Sequence, residues 1–331
     1  ISCALIAGKL NDLGYKSRSW LGWQVPIITR GNYNASRIIR IQKNKILNYL
    51  KKGGIPIITG FQGINSDFRI TTLERGGSET SAILCAKFFN AEKCIIFTDV
   101  KGVYTTDPNL IKNAKKIEKI SYEEMLEMAS LGAKVMQPAS IQEARLNRIE
   151  IDVRSTFSKM SGTLITKKKN ILSKDTIRGI SFTKNDAKLT LIGVKDKPGI
   201  AASIFKPLYE NSINVDMVVQ NVSAGGRETD LTFTIKLEDL KKARRLVENN
   251  KYIKFRKLIV NKNVSKVSIV GVGMVTTPGI TYRMFRALAK KKINIEVIST
   301  SEIKISVLID KKNLKKSVEI LHQEFKLSNS L

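Results

Sequence analysis

Apolar positions along this chain follow two spacings, and the switches between them mark out its elements. Leu5, Ile6, Leu10 and Leu13 followed by Gly14 predict a helix over 2–13 closed by a glycine cap. Residues 26–29 read as a short strand, and Ile38, Ile39, Ile41, Ile46 and Leu47 ahead of Gly53-Gly54 predict a helix over 36–49. The run 55–60 reads as a buried strand that ends in the turn 60–63, and 80–89 as a helix. Residues 94–99 form a continuous apolar strand of the kind buried on both faces of a parallel sheet. Ser121-Tyr122-Glu123-Glu124 has the form of a capping box opening a helix that runs to Leu131, with a further helix over 138–146 and a strand over 149–155. Strand, helix and strand alternate, so the first half is α/β. In such sheets ligands bind beyond the carboxyl ends of the strands, where 60–63, 75–78 and 98–104 fall.

The second half repeats itself. Residues 188–194 match 266–272, 78 positions on, and Asp196-Lys197-Pro198-Gly199-Ile200 matches Thr276-Thr277-Pro278-Gly279-Ile280 after a two-residue insertion. The register holds through 213–216 and 293–296. Each copy reads strand, Pro-Gly turn, helix, strand, strand, helix, a ferredoxin-like βαββαβ plan used twice, with the final strand either shared or exchanged between copies. The polar, lysine-rich stretch 167–175 suits a connection. We expect domains at 1–168, 188–262 and 263–331 with 169–187 as linker.

Composition narrows the function. The 331 residues leave room for two or three domains, and no run approaches the roughly 18–20 apolar residues of a membrane span. The first residue is Ile1 and the opening has no signal-peptide plan, from which we expect a chain that has lost its true start. Cys3, Cys85 and Cys94 are too irregularly spaced for a disulfide framework, and the single His322 excludes a Cys/His zinc cluster. A reduced, cytoplasmic protein with no protein-built metal site is expected, with Cys85 and Cys94 as small buried hydrophobes and His322 structural or solvated. The net charge of +28 points toward nucleic acid, but the lysines are scattered and lack interleaved aromatics for base stacking. Neither a nucleic acid nor a membrane is expected as a partner.

The chemistry concentrates in Arg75-Gly76-Gly77-Ser78-Glu79. Two glycines let backbone approach an anion, Arg75 offers a planar fork for carboxylate or phosphate, and a helix follows. The stretch 71–79 that contains these residues, with Gly60-Phe61-Gln62-Gly63, the run Thr98-Asp99-Val100-Lys101-Gly102-Val103-Tyr104-Thr105-Thr106-Asp107-Pro108 and the terminal Ile298-Ser299-Thr300-Ser301-Glu302, forms an order of motifs that resembles the bacterial aspartate kinases. The resemblance covers 1–325. It implies an α/β amino-acid kinase-like domain, a mostly parallel sheet sandwiched by helices, followed by two ferredoxin-like ACT domains. It further implies transfer of the γ-phosphoryl group of ATP, with Mg2+, to the β-carboxylate of aspartate, at the head of lysine, threonine and methionine synthesis.

On that resemblance, Arg75 grips the substrate carboxylate, with Gly76, Gly77 and Ser78 supplying close contacts, Phe61 walling the pocket and Glu79 orienting it. Thr98, Asp99, Tyr104, Lys134 and Val135 take the nucleotide, and Lys134 neutralises phosphate charge. Lysine, threonine or both are the expected effectors, held by Asp196, Lys197, Pro198, Gly199, Ile200, Ala201, Asn214, Val215, Asp216 and Gln220 in one copy. Ile280, Thr281, Asn294, Ile295, Ser301 and Glu302 form the set of the other. A homodimer or larger assembly through the ACT domains is implied. The family's Lys-x-Gly-Gly strand and Gly-Glu element are absent from the 331 residues, so the chain as it stands is expected to be inactive. Glu74 stands where the family has Gly, Glu79 where it has Asp, and Asn109 where it has Arg. A regulatory subunit that binds amino acids without catalysis is the competing reading; retained Arg75, Thr98, Asp99 and Tyr104 argue against it.

Overall fold

The computed structural model describes residues 1–132, 135–168, 171, 175–222 and 228–328. It forms two compact units, Ile1–Tyr104 with Lys116–Ser173, and Thr105–Lys115 with Lys174–Leu331. The eleven residues from Thr105 to Lys115, expected within the first domain, thus belong with the second unit.

The first unit opens with α1 (Ser2–Asp12), as its periodicity predicts, and β1 (Ser17–Trp20). β2 (Ile27–Asn32) and β3 (Ala35–Ile41) pair as a hairpin, so the helix expected over 36–49 is confined to α2 (Asn44–Lys51). Ile38, Ile39 and Ile41 are β-branched, and cross-strand pairing with β2 decides their conformation. β4 (Ile55–Ile58) runs parallel to β1; β5 (Gln62–Ile64) and β6 (Ile70–Thr72) extend the hairpin into a four-stranded sheet. Trp20, Val25, Ile27, Ile41, Ile46 and Leu84 make one core here.

α3 (Gly77–Phe88) leads into β7 (Lys93–Thr98), and β8 (Lys119–Ser121) into α4 (Tyr122–Ser130). The capping box opening α4 forms: Ser121 Oγ accepts from Glu124 N, and Glu124 Oε2 accepts from Ser121 N. α5 (Pro138–Asn147), β9 (Glu150–Ser155) and β10 (Thr163–Thr166) complete the unit, in the sheet order β7-β9-β10-β8. β7–β9 and β8–β10 are parallel and β9–β10 antiparallel. β7 is an edge strand with Phe97 62% exposed, so burial on both faces does not hold within this chain.

In the second unit β11 (Gly179–Lys195) carries α6 (Ile200–Glu210), β12 (Val215–Val222), β13 (Glu228–Lys236), α7 (Leu240–Glu248) and the long β14 (Lys257–Val270). The second copy follows as α8 (Ile280–Lys290), β15 (Val297–Thr300), β16 (Lys304–Asp310) and α9 (Leu314–Glu324). One six-stranded sheet, β12-β13-β11-β14-β16-β15, serves both copies. The exchange is explicit in the register. The first part of β14 pairs with Leu191 to Lys188 as fourth strand of the first copy, while 179–183 pair with 266–270 as fourth strand of the second. Residues 179–187, expected as linker, are therefore sheet. Leu189, Leu191, Ile204 and Leu208 fill one core, and their counterparts Val267, Ile269, Met284 and Leu288 fill the other.

Two ion pairs repeat this symmetry. Lys188 Nζ donates to Glu296 Oε2 at 2.6 Å, and Lys266 pairs with Asp216, so each copy's first strand holds the acid that begins the other copy's second strand.

Candidate functional site

β7 and β9 are parallel, and α3 and α5 each run into one of them. The twelve residues of α3 span roughly 18 Å at 1.5 Å per residue, close to the roughly 20 Å of a six-residue strand such as β7. The N-termini of both helices therefore lie at the carboxyl end of the strands, where Thr98 sits.

Neither helix start is capped by its own side chain. Gly76, the N-cap of α3, has φ 82, and a Cβ there would lie 2.5 Å from Cγ of Gln137, the N-cap of α5. A Cβ on Gly77 would meet Leu73 Cβ at 2.6 Å and Phe61 Cδ2 at 2.8 Å. Both glycines are required by close packing. Glu79, in the first turn of α3, ties the two starts together: its Oε2 accepts from Gln137 N at 3.1 Å and Ser140 Oγ at 2.9 Å. A carboxylate is favoured there by both helix dipoles, and an uncapped helix start of this kind suits a second anion as well.

Arg75 is exposed and makes no ion pair among the described residues, which leaves its fork for an incoming carboxylate or phosphate. Phe61 lies over Gly77 with φ 68, a conformation rare outside glycine. Its N–H donates to Ser81 Oγ at 3.0 Å, its carbonyl accepts from Leu73 N at 3.0 Å, and Ser81 Oγ donates to Gly77 O at 2.7 Å. Phe61, Gly76, Gly77, Ser78 and Glu79 are thus brought together.

At the end of β7, Thr98 O accepts from Thr156 N at 2.8 Å and Thr98 Oγ1 donates to Asp99 Oδ1 at 3.1 Å. Beyond it Val103 N donates to Thr163 Oγ1 at 2.8 Å, which in turn donates to Ile117 O at 2.6 Å, and Tyr104 bridges antiparallel to Lys116. Val135 is half-buried beside the core residue Met136; Lys134 lies outside the described residues. Burial pushes the Cys85 thiol up to about 12 and the Cys94 thiol to about 11, so neither is a nucleophile at neutral pH. Gln137, Ser140 and Thr163 escaped sequence reasoning. A hydroxyl at the third position of α5, just after Pro138, was the one local hint, since it suits capping as well as clamping.

The residues expected to hold an effector do not converge within one copy. Val215 is level with Ala187 through Ile235, whereas the turn at Asp196–Gly199 follows the far end of β11, roughly 25 Å away at 3.3 Å per residue. Asn214, Val215 and Asp216 therefore sit at one end of the first copy's sheet, Asp196, Lys197, Pro198, Gly199, Ile200 and Ala201 at the other, with Gln220 between. Asp216 is engaged by Lys266. In the second copy Ile280, Thr281, Ser301 and Glu302 share an end of the sheet, and Asn294 and Ile295 lie at the opposite one.

An α/β half with two helix starts clamped by one carboxylate, followed by a paired βαββαβ module, defines an amino acid kinase joined to ACT domains. The amino acid kinase family model matches residues 1–155, and the ACT domain model matches 189–250 and 267–325. An aspartate kinase of Pseudomonas fluorescens is 44% identical over 329 residues, covering 99% of this chain and 79% of that protein. Crystal structures of E. coli aspartokinase III, one with aspartate and ADP and one with lysine and aspartate, superimpose with TM-score 0.80 at 25% identity. Each covers 98% of this chain and 73% of that one. The chain belongs to the aspartate kinase family.

Proposed function

We propose that this protein transfers the γ-phosphoryl group of ATP to the β-carboxylate of aspartate, with the aspartate bound at the start of α3. The observation that carries the reading is the pair of helix N-termini joined by Glu79, with exposed Arg75 at the same turn. Two anionic reactants, a carboxylate and a polyphosphate, need two such ends held in fixed relation. Arg75 takes a substrate carboxylate in a bidentate fork, the amides of Gly77 and Ser78 approach it closely, and Phe61 closes the pocket wall. Thr98, Asp99 and Tyr104 take the nucleotide side with Lys134 and Val135. Both reactants then meet in line, and positioning with charge neutralisation supplies the acceleration.

No cluster of three or more potential metal-ligating acids, histidines or cysteines occurs among the described residues, which suits an ion carried by the phosphates rather than caged by protein. Mg2+ bound to ATP would neutralise phosphate charge, and exposed Asp99 is the acid of the nucleotide set that would hold it. No helix among the described residues is long and apolar enough to cross a membrane. We place the protein in the cytoplasm, where its free thiols Cys3, Cys85 and Cys94 stay reduced. Lysine, threonine or both act as feedback effectors. Because the ends of each effector set lie apart in one chain, a complete site requires a second copy, and we infer a homodimer or larger assembly.

Trapping the acyl phosphate as hydroxamate tests the reaction in the natural gene product. Arg75→Ala is expected to cut aspartate-dependent turnover at least about 100-fold. Wild-type protein that consumes no ATP with aspartate, yet binds lysine or threonine by calorimetry, would replace this reading with the regulatory-subunit one.

A further inference from the structure

The segment Thr105–Lys115 leaves the first unit at Tyr104, returns at Lys116, and in between is part of the second unit. Its apolar residues Ile111 and Leu110 join the core of the second ACT copy, beside Ile177, Ile269 and Leu321. Its two ends form a continuous antiparallel stem: Ile117 N donates to Val103 O, Tyr104 bridges Lys116, and Thr105 N donates to Lys115 O at 2.8 Å.

Thr105 is the knot of this arrangement. Its Oγ1 lies 3.0 Å from Lys115 N, 3.0 Å from Leu327 O and 3.0 Å from His322 Nε2, and its carbonyl accepts from Ile180 N. A hydroxyl has one proton and two lone pairs, so all three contacts are hydrogen bonds only when Oγ1 donates to Leu327 O and accepts from Lys115 N–H and His322 Nε2–H. That fixes the neutral tautomer of His322, whose Nδ1 then accepts from Ser328 Oγ at 3.3 Å, itself receiving Asn113 Nδ2 at 3.1 Å. The protein's single histidine, 1% exposed and with its pKa lowered by burial, thus fastens the segment at Thr105 and Asn113.

We propose that Thr105 and His322 are positioning residues for nucleotide use. Fastened in the second unit, they fix the stem one peptide bond beyond Tyr104 and so set the strand end from which Asp99 and Tyr104 meet ATP. The inference rests on the reading that 98–104 is the nucleotide side.

The test compares Thr105→Val, which removes the hydroxyl at nearly constant shape, with Thr105→Ser, which keeps it, in the natural gene product. Amide hydrogen exchange over 99–104 is expected to quicken about tenfold in the Val variant and stay at the wild-type rate in the Ser variant. KM for ATP should rise about fivefold with KM for aspartate unchanged. Unaltered exchange and ATP KM in Thr105→Val would overturn the proposal, as would equal rises in both KM values, the mark of general loosening. Asn113→Ala, which cuts the exposed link of the same network, should quicken exchange by about twofold and keeps the test open should the Val variant fail to fold. Wild-type protein without aspartate-dependent turnover would remove the functional reading while the exchange measurement still decides the positioning.

Discussion

The two ACT copies have the same plan and differ at one corner. Gly193 and Gly271 are counterparts, and so are Arg256 and Arg178, whose N–H groups donate to Ile192 O at 2.8 Å and Val270 O at 2.7 Å. In the first copy this corner is a cleft of about 360 Å³ lined by Gly193, Lys195, Glu228, Lys254, Phe255 and Arg256, with Arg256 reaching Glu228 at 2.7 Å. In the second it is filled. A 3-10 turn, Val272–Thr276, carries the two-residue insertion, and a Cβ on Gly271 would come 2.2 Å from Thr176 O. Both Pro-Gly turns keep a left-handed glycine cap, Gly199 and Gly279, each with φ 86. Duplication conserved what backbone geometry demands, and the copies diverged where a fourth strand enters: one entering segment packs against its turn, and the other leaves space.

Breaking the reciprocal ion pairs should show the largest asymmetry. The Lys266 side chain is only 4% exposed, whereas those of Lys188 and Glu296 keep 18% and 19%. Asp216→Ala strands a buried ammonium and should cost about 3 kcal/mol in urea unfolding, with about 1 kcal/mol for Glu296→Ala. Equal losses would make the pairs interchangeable. At the corner itself, Gly271→Ala must displace backbone and should cost about 2 kcal/mol. Gly193→Ala displaces only the flexible Arg256 side chain but is strained at φ 66, for about 1 kcal/mol.

The smallest effect is one of pH. His322 titrates near 6.5 when unfolded and lower when folded, because burial disfavours its charge. Between those two values the unfolded chain holds more protons. Stability is therefore whole above about pH 6.5 and declines as pH falls toward the folded pKa. Denaturant midpoints of wild type and His322→Gln should part below about pH 6.5 and run parallel above it. The first copy has no histidine to match.

Local chemistry was legible in the sequence. The capping box at Ser121 and Glu124 forms as read, because its partners are three residues apart. The duplication was equally plain, since both cores use the same apolar positions. What failed depended on distant partners. Ile38, Ile39 and Ile41 suit helix or strand until β2 lies alongside. Cys94 to Phe97 reads as buried strand, but edge or centre is a property of the whole sheet. In the candidate site the Arg75-Gly76-Gly77 turn was visible, while the partners of Glu79 are 58 and 61 residues away and no local pattern announces them. Asp216 reads as a member of an effector set, and nothing in the sequence shows that it also pairs with Lys266.

The exchanged fourth strand bears on how the chain leaves the ribosome. Residues 179–183 emerge before the first ACT copy, yet their partners at 266–270 follow about 90 residues later, a wait of roughly 5–20 s at bacterial elongation rates. During that interval the strand 179–183 has one edge without its native neighbour, and the first copy can finish folding beside it. Synthesis rate, rather than sequence alone, then governs how long this strand is open to pairing with another nascent chain.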